Sequence, residues 1–345
     1  MMDSELKELR VSNDAMYDGD ELQRRLADEG YLFFKQLQDP DKMMELRLDI
    51  NTVLQEGGWL LPDTDPMDGI ADVDRVCTEG DEGYTDVYHK VYALESFHRS
   101  AHLPEIMDTI ARIAGKPVLP HPQKVARLWF PQYTEHTTPT HQDYVHFQGS
   151  FDTWTAWAPV GDCPVELGGL AVLPGSHKVN RVLDHHFSLG AGGLNVEVDG
   201  FDGAWHTIDY EPGDTLIFEA LMIHRALPNV TDNRMRISLD NRYFAIGNPV
   251  SEGMMTPHLT EHVDPPITWE EIYADWQSDD LKYYWEGHDF PIRAGDPSYS
   301  QRGFEQALEM ARNGNEHAQL HLRRVVRMTK DEAQAQRALE ALGEG

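Results

Sequence analysis

Between residues 117 and 250 the chain breaks too often into short apolar runs, each closed by Gly, Pro or Asp, to be helical. The runs Lys124–Phe130, Asp152–Pro159, Leu170–Leu173, Trp205–Asp209, Thr215–Phe218 and Met235–Phe244 read as strands. Short strands separated by turn signals describe an antiparallel sandwich or barrel. Helical signals flank this stretch. Residues 20–57 read as helix, strand, helix: an amphipathic segment ends at Gly30, Tyr31–Phe34 is apolar, and Asp39-Pro40-Asp41 opens a helix that stops at Gly57-Gly58. Residues 61–83 read as loop, and 103–115 as a helix with Pro104 in its first turn and Gly115 past its end. Beyond Pro265-Pro266, helices are expected at Trp269–Trp276, Arg302–Arg312, Ala318–Met328 and Asp331–Leu342.

Charge narrows the partners. The 345 residues carry a formal net charge of −30, which repels duplex nucleic acid and anionic membranes. The 40% hydrophobic content still supplies a packed core. Two cysteines, Cys77 and Cys163, exclude a disulfide framework and a four-thiolate zinc site. The opening MMDSELKELR has no apolar run, so no secretory signal is expected, and no stretch reads as a membrane span. A cytoplasmic protein, monomeric or homodimeric, is the expectation.

Seventeen histidines remain to be sorted. The sharpest local pattern is Thr140-His141-Gln142-Asp143. In extended backbone, residues i and i+2 share a face, so His141 and Asp143 can offer a nitrogen and a carboxylate oxygen to one metal. His224, on a neighbouring strand, completes a two-histidine, one-carboxylate set that leaves positions open on Fe(II). Ten and twelve residues further on stand Arg234 and Arg236. Alternation puts Met235, Ile237 and Leu239 on one face and Arg236, Ser238 and Asp240 on the other. Arg236, in Arg-x-Ser, is the better anchor for a distal carboxylate, with Ser238 adding a hydroxyl.

These pieces occur in an order that resembles the phytanoyl-CoA dioxygenase family of Fe(II)/2-oxoglutarate-dependent oxygenases over roughly residues 20–250. The matching segments are Glu29-Gly-Tyr-Leu-Phe-Phe, Thr140-His-Gln-Asp, Thr155-Ala-Trp-Ala-Pro-Val, the run from Glu166 to His177, Glu211-Pro-Gly-Asp, and His224 through Arg236. The resemblance implies a mainly β fold with flanking helices: a double-stranded β-helix (a jelly-roll or cupin-like barrel) with a C-terminal helical extension. Domain bounds of 1–265 for the oxygenase unit with its N-terminal helices, and 266–345 for a helical extension packed on the core, follow. The resemblance further implies iron held by His141, Asp143 and His224, and 2-oxoglutarate anchored by Arg236. Trp157 matches a tryptophan beside the co-substrate, Lys90 a basic residue reaching the pocket, and Thr138 a polar contact. The implied reaction consumes O2 and 2-oxoglutarate, hydroxylates a small molecule, and releases succinate and CO2. Asp143 disfavours halogenation, since related halogenases lack that carboxylate.

Two departures stand out. His224-Arg225-Ala226 replaces a frequent His-Gly-Ser, and the anchoring arginine usually lies eleven residues past the histidine rather than ten or twelve. Desaturation, epimerisation or cyclisation with the same cofactors is an alternative outcome, and a catalytically silent β-barrel binding module is an alternative class. Trp129, Tyr144, His146 and Phe147 are candidate substrate contacts, with Trp154 a further aromatic; aromatics at strand spacing are more often plain core, and His146 reads equally as a solvated loop histidine. His177 reads as a turn-closing residue, His185-His186 as polar loop, and His317 and His321 as surface positions. His258-Leu-Thr-Glu-His262 matches an inverted zinc-protease pattern, but prolines at 257, 265 and 266 leave it too little helix. No Lys/Arg cluster marks a CoA site. The C-terminal helices can cover the pocket, mediate a dimer or cap the barrel.

Overall fold

The computed structural model describes residues 6–345. Half of the N-terminal stretch read above for a secretory signal, residues 1–5, lies outside the described residues. The strands are β1 (Lys7–Glu8), β2 (Tyr31–Phe34), β3 (Val118–Pro120), β4 (Val125–Trp129), β5 (His141–Gln142), β6 (Thr153–Pro159), β7 (Leu170–Val172), β8 (His185–Phe187), β9 (Leu194–Val196), β10 (His206–Thr207), β11 (Thr215–Glu219), β12 (Ile223–Ala226), β13 (Arg236–Ala245), β14 (Val250–Ser251) and β15 (Ile292–Arg293). The helices are α1 (Gly19–Glu29), α2 (Pro40–Glu56), α3 (Tyr84–Tyr92), α4 (Glu95–Ser100), α5 (Pro104–Ala114), α6 (Tyr144–Phe147), α7 (Trp269–Ile272), α8 (Ser298–Arg312), α9 (Glu316–Met328) and α10 (Glu332–Leu342).

The larger sheet runs β2-β11-β6-β13-β3, with β4 also paired to β13, and all of its pairs are antiparallel. The smaller runs β1-β10-β7-β12-β5. Period-two alternation sorts the larger sheet's side chains. Tyr31, Phe33, Trp157, Leu216 and Phe218 turn inward and meet Leu170 and Val172 of the smaller sheet. Leu32, Phe34, Trp154, Ala156 and Ile217 turn outward onto α1 and α5, through Leu22, Leu26, Ile106 and Ile110. At the other end Ile237 and Leu239 pack on α2 and α3. The two sheets thus form the double-stranded β-helix expected, although the strand ladder joins into two sheets and not into one closed barrel.

Capping chemistry sets the helix bounds. Asp18 accepts the Glu21 N–H, and α1 ends at Gly30 with φ of 82°. A Cβ on Gly30 would stand 2.3 Å from His177 Nδ1, so the position is held to glycine by backbone and by packing. His177 Nε2 in turn bonds the Ala27 carbonyl at 3.1 Å, tying its turn to α1.

The chain after Pro265-Pro266 divides differently from the expected 266–345 unit. Trp269, Ile272, Tyr273, Trp276 and Trp285 belong to the same core as α2, α3 and Ile237. The helix expected to reach Trp276 stops at Ile272. A separate apolar cluster begins only with α8, where Phe304, Leu308, Ala311, Leu322 and Ala338 pack α8–α10 together. Helices α3 and α4 fall in a stretch that carried no helix expectation. No helix of the described residues is long and apolar enough to cross a membrane.

Candidate metal centre

Strand β5 is two residues long and pairs with β12 so that His141 lies directly opposite His224. The ring centroids are 4.2 Å apart. Gln142, between His141 and Asp143, turns the other way and bonds the Leu221 carbonyl and the Leu183 N–H, pinning the strand from behind. Asp143 already has helical backbone, with φ −61° and ψ −28°, so it reaches the histidines from the start of α6 and not from the extended segment expected. Its Oδ1 stands 3.5 Å from His141 Nε2 and 3.9 Å from His224 Nε2.

Each histidine is oriented by its own chain. Nδ1 of His141 bonds the Pro139 carbonyl at 2.8 Å, and Nδ1 of His224 bonds the Met222 carbonyl at 3.0 Å. A carbonyl only accepts, so Nδ1 carries the proton and the Nε2 lone pairs face Asp143. Burial pushes His224 down to about 3, which keeps that lone pair unprotonated. Burial alone would raise the Asp143 carboxyl, but the Arg242 guanidinium holds it well below its ordinary range. Arg242 grips it with a fork, Nε to Oδ2 at 3.1 Å and Nη2 to Oδ1 at 2.9 Å, while Thr155 Oγ1 donates to Oδ2 at 2.5 Å. The three ligand atoms lie within 4.8 Å of one another and are all buried. Two imidazole nitrogens and one ionised carboxylate fit a first-row divalent ion with open positions, iron(II) among them.

The same three residues line an interior cavity with Thr138, Trp157, Arg127, Arg236 and Arg242. Arg236 is 2% exposed and, among the described residues, is in no ion pair. Its Nη1 donates to Ser238 Oγ at 2.6 Å, its Nε has no partner, and burial pulls it down to about 10. A buried guanidinium without an anion is costly, which marks a place built for one. Arg234 is half-buried in a bridge to Ile70 and does not line the cavity.

Other candidates are distributed more widely. Lys90 is exposed on α3 and does not line the cavity. The cavity's further cations are Arg127, ion-paired with Asp240 at 3.0 Å and Glu79 at 3.3 Å, and Arg242. Asp240 and Arg242 extend the i, i+2 series begun by Arg236 and Ser238, and Thr155 precedes Trp157 by two, so the same alternation points to all three. Trp129 borders the site, its ring 5.6 Å under the Arg236 guanidinium. Phe147 is fully buried behind Arg242. Tyr144 packs against Phe147 and Phe151 and lines neither this cavity nor the groove described below. Trp154 faces the outer helices. His146 leans on His141 with centroids 5.2 Å apart. His185 is a strand residue, not loop: it is buried on β8 and its Nε2 accepts the Gln142 N–H at 3.3 Å. His317 is exposed, but His321 is half-buried against Phe187.

The chain is similar to several known proteins. The 1-deoxypentalenic acid 11-beta-hydroxylase of Streptomyces exfoliatus is 30% identical over 193 residues, 52% of this chain and 63% of that protein. This chain therefore spans under two-thirds of that relative's length. The enzyme of the same name from Streptomyces arenae is 27% identical over 237 residues, covering 65% and 81%. Among solved structures, the epimerase SnoN in complex with Fe3+, alpha ketoglutarate and nogalamycin RO aligns at 18% identity and TM-score 0.48, over 67% of this chain and 84% of that one. The family model described as Phytanoyl-CoA dioxygenase (PhyH) matches residues 26–238, a span that starts in α1 and takes in His141, Asp143, His224 and Arg236. With that match covering more than half its length, the chain belongs to the phytanoyl-CoA dioxygenase family.

Proposed function

We propose that the protein is an iron(II)- and 2-oxoglutarate-dependent oxygenase that hydroxylates a small molecule, with O2 split between product and succinate and CO2 released. The observation that carries this reading is the unpaired, buried Arg236 guanidinium in the same cavity as the two-histidine, one-carboxylate set. Bound Fe(II) would supply the oxidising chemistry, consuming one 2-oxoglutarate for each oxygen inserted.

The chain's own residues do the positioning. His141 and His224 present Nε2, each held by a carbonyl two residues earlier, and Asp143 presents Oδ1. Arg242 and Thr155 keep the carboxylate ionised and aimed. Arg236 and Ser238 receive the distal carboxylate of the co-substrate, and Trp157 walls the cavity beside it. Burial of these groups keeps bulk water away from the place where the metal and co-substrate would be held. A cytoplasmic setting belongs to the same reading, supported by the free thiols of Cys77 and Cys163.

Anaerobic titration with Fe(II) and 2-oxoglutarate tests it. A weak visible charge-transfer band should form and vanish in His141→Ala, while Arg236→Ala should weaken 2-oxoglutarate binding by at least about ten-fold, the loss of one charge-assisted contact. Absence of both band and succinate in the wild type rejects the reading.

A further inference from the structure

Just past Asp143, α6 carries His146 alongside the metal centre. One side of its ring lies on His141, and the other forms part of the wall of a groove of about 450 Å³, within the range of small-molecule sites. Phe187 and Leu194, from the hairpin of β8 and β9, line a second side. The third side is Tyr299, Ser300 and Phe304 of α8 with His321 of α9, all beyond the family-matched segment.

The groove is built into the sequence. Gly192 has φ of 83°, and a Cβ there would come within 2.8 Å of His146 Cε1. Gly303 lets α8 approach the hairpin, since its Cβ would meet Leu194 Cδ2 at 2.9 Å. Polar ties hold the C-terminal helices in place: the Phe187 N–H donates to Gln306 Oε1 at 2.7 Å, and Gln148 Nε2 donates to the Asp296 carbonyl at 3.0 Å. Arg324 of α9, 7% exposed, joins Asp81 at 2.7 Å and His136 at 3.2 Å, clamping the two loops that precede α3 and β5. Among the described residues, no lysine or arginine lines the groove. Its carboxylate, Asp296, caps α8 through the Ser298 N–H. Burial pushes His321 down to about 4, so it carries no charge at neutral pH.

We propose that this groove is the substrate site, that α8 and α9 form its outer wall, and that it takes an uncharged small molecule in preference to a carboxylate or a CoA thioester. The proposal rests on the oxygenase reading and specifies its substrate class. A lining with no lysine or arginine among the described residues and a single carboxylate, Asp296, offers an anion no counter-charge, and desolvating an unpaired anion there is unfavourable.

Saturation-transfer NMR on the metal-free full chain, with 1-adamantanol and adamantane-1-carboxylate as paired probes, tests it. Wild-type protein should bind the alcohol at least ten-fold more tightly than the carboxylate. Ser300→Trp, an exposed position whose new ring fills the groove, should abolish the transfer while a melting curve confirms its fold. No transfer to the alcohol, equal transfer to the carboxylate, or unchanged transfer in Ser300→Trp overturns the proposal. The wild-type charge-transfer band separates the two readings. A band without probe binding rejects the groove alone, and probe binding without a band rejects the oxygenase and leaves the groove's preference standing.

Discussion

Arg242 acts on the metal centre through another residue, and its value is electrostatic. Its fork keeps a buried carboxylate charged in surroundings that would otherwise protonate it. In Arg242→Met the partner charge is removed and Asp143 stays buried, a change that costs about 3–5 kcal/mol in comparable pairs. The metal-free variant should therefore melt at a much lower temperature and bind Fe(II) more weakly, with Arg242→Lys recovering part of both; an unchanged melting curve and Fe(II) titration would refute this role. The residue was within reach of the sequence, because it continues the series of inward positions at 236, 238 and 240. Arg127 was not, since a lone arginine in Val-Ala-Arg-Leu-Trp carries nothing to say that it faces a cavity with Asp240 beside it.

The elements show why Lys90 is absent from the pocket. Helix α3 buries Tyr84, Val87, Tyr88 and Val91, positions spaced three and four apart, and that face fixes Lys90 on the opposite one. The helix begins at Gly83 without a side-chain cap, so no start signal marked it. The long strand β13 was legible from its strict alternation, whereas β5 and β12 are short and are defined by each other's hydrogen bonds, which sequence periodicity does not encode. Lys124, just before β4, makes a prediction of its own. It is 1% exposed, bonds the His121 carbonyl and the Tyr284 hydroxyl, and among the described residues has no carboxylate partner. Burial lowers it to about 7 from an ordinary value of 10.5. Because the folded state binds this proton more weakly than the unfolded one, stability falls as pH drops from 10.5 towards 7. Lys124→Met should flatten that part of the melting-temperature profile and raise the melting temperature at pH 7; a lower melting temperature in the variant at every pH would contradict the account.

For the molecule as a whole, the net charge of −30 is concentrated outside the cavity, where three arginines face two aspartates. The surface repels itself, and dissolved salt screens that repulsion over about 8 Å at physiological strength. The melting temperature should rise between about 50 mM and about 1 M NaCl, the concentration range over which the screening length shortens several-fold. A maximum at low salt would mean that the surface acidity is already compensated by local pairs. The sequence bounded the molecule less well at its C-terminal end: the prolines at 265 and 266 look like a boundary, yet tryptophans on the far side complete the main core, and only packing reveals it. Finally, Arg236, which among the described residues has no carboxylate partner, ties the proposed co-substrate to stability. If Arg236 receives 2-oxoglutarate as proposed, the folded chain would be stabilised by mass action, by about 2.7 kcal/mol at a hundred times the dissociation constant. Its resistance to heat would then track the concentration of that co-substrate.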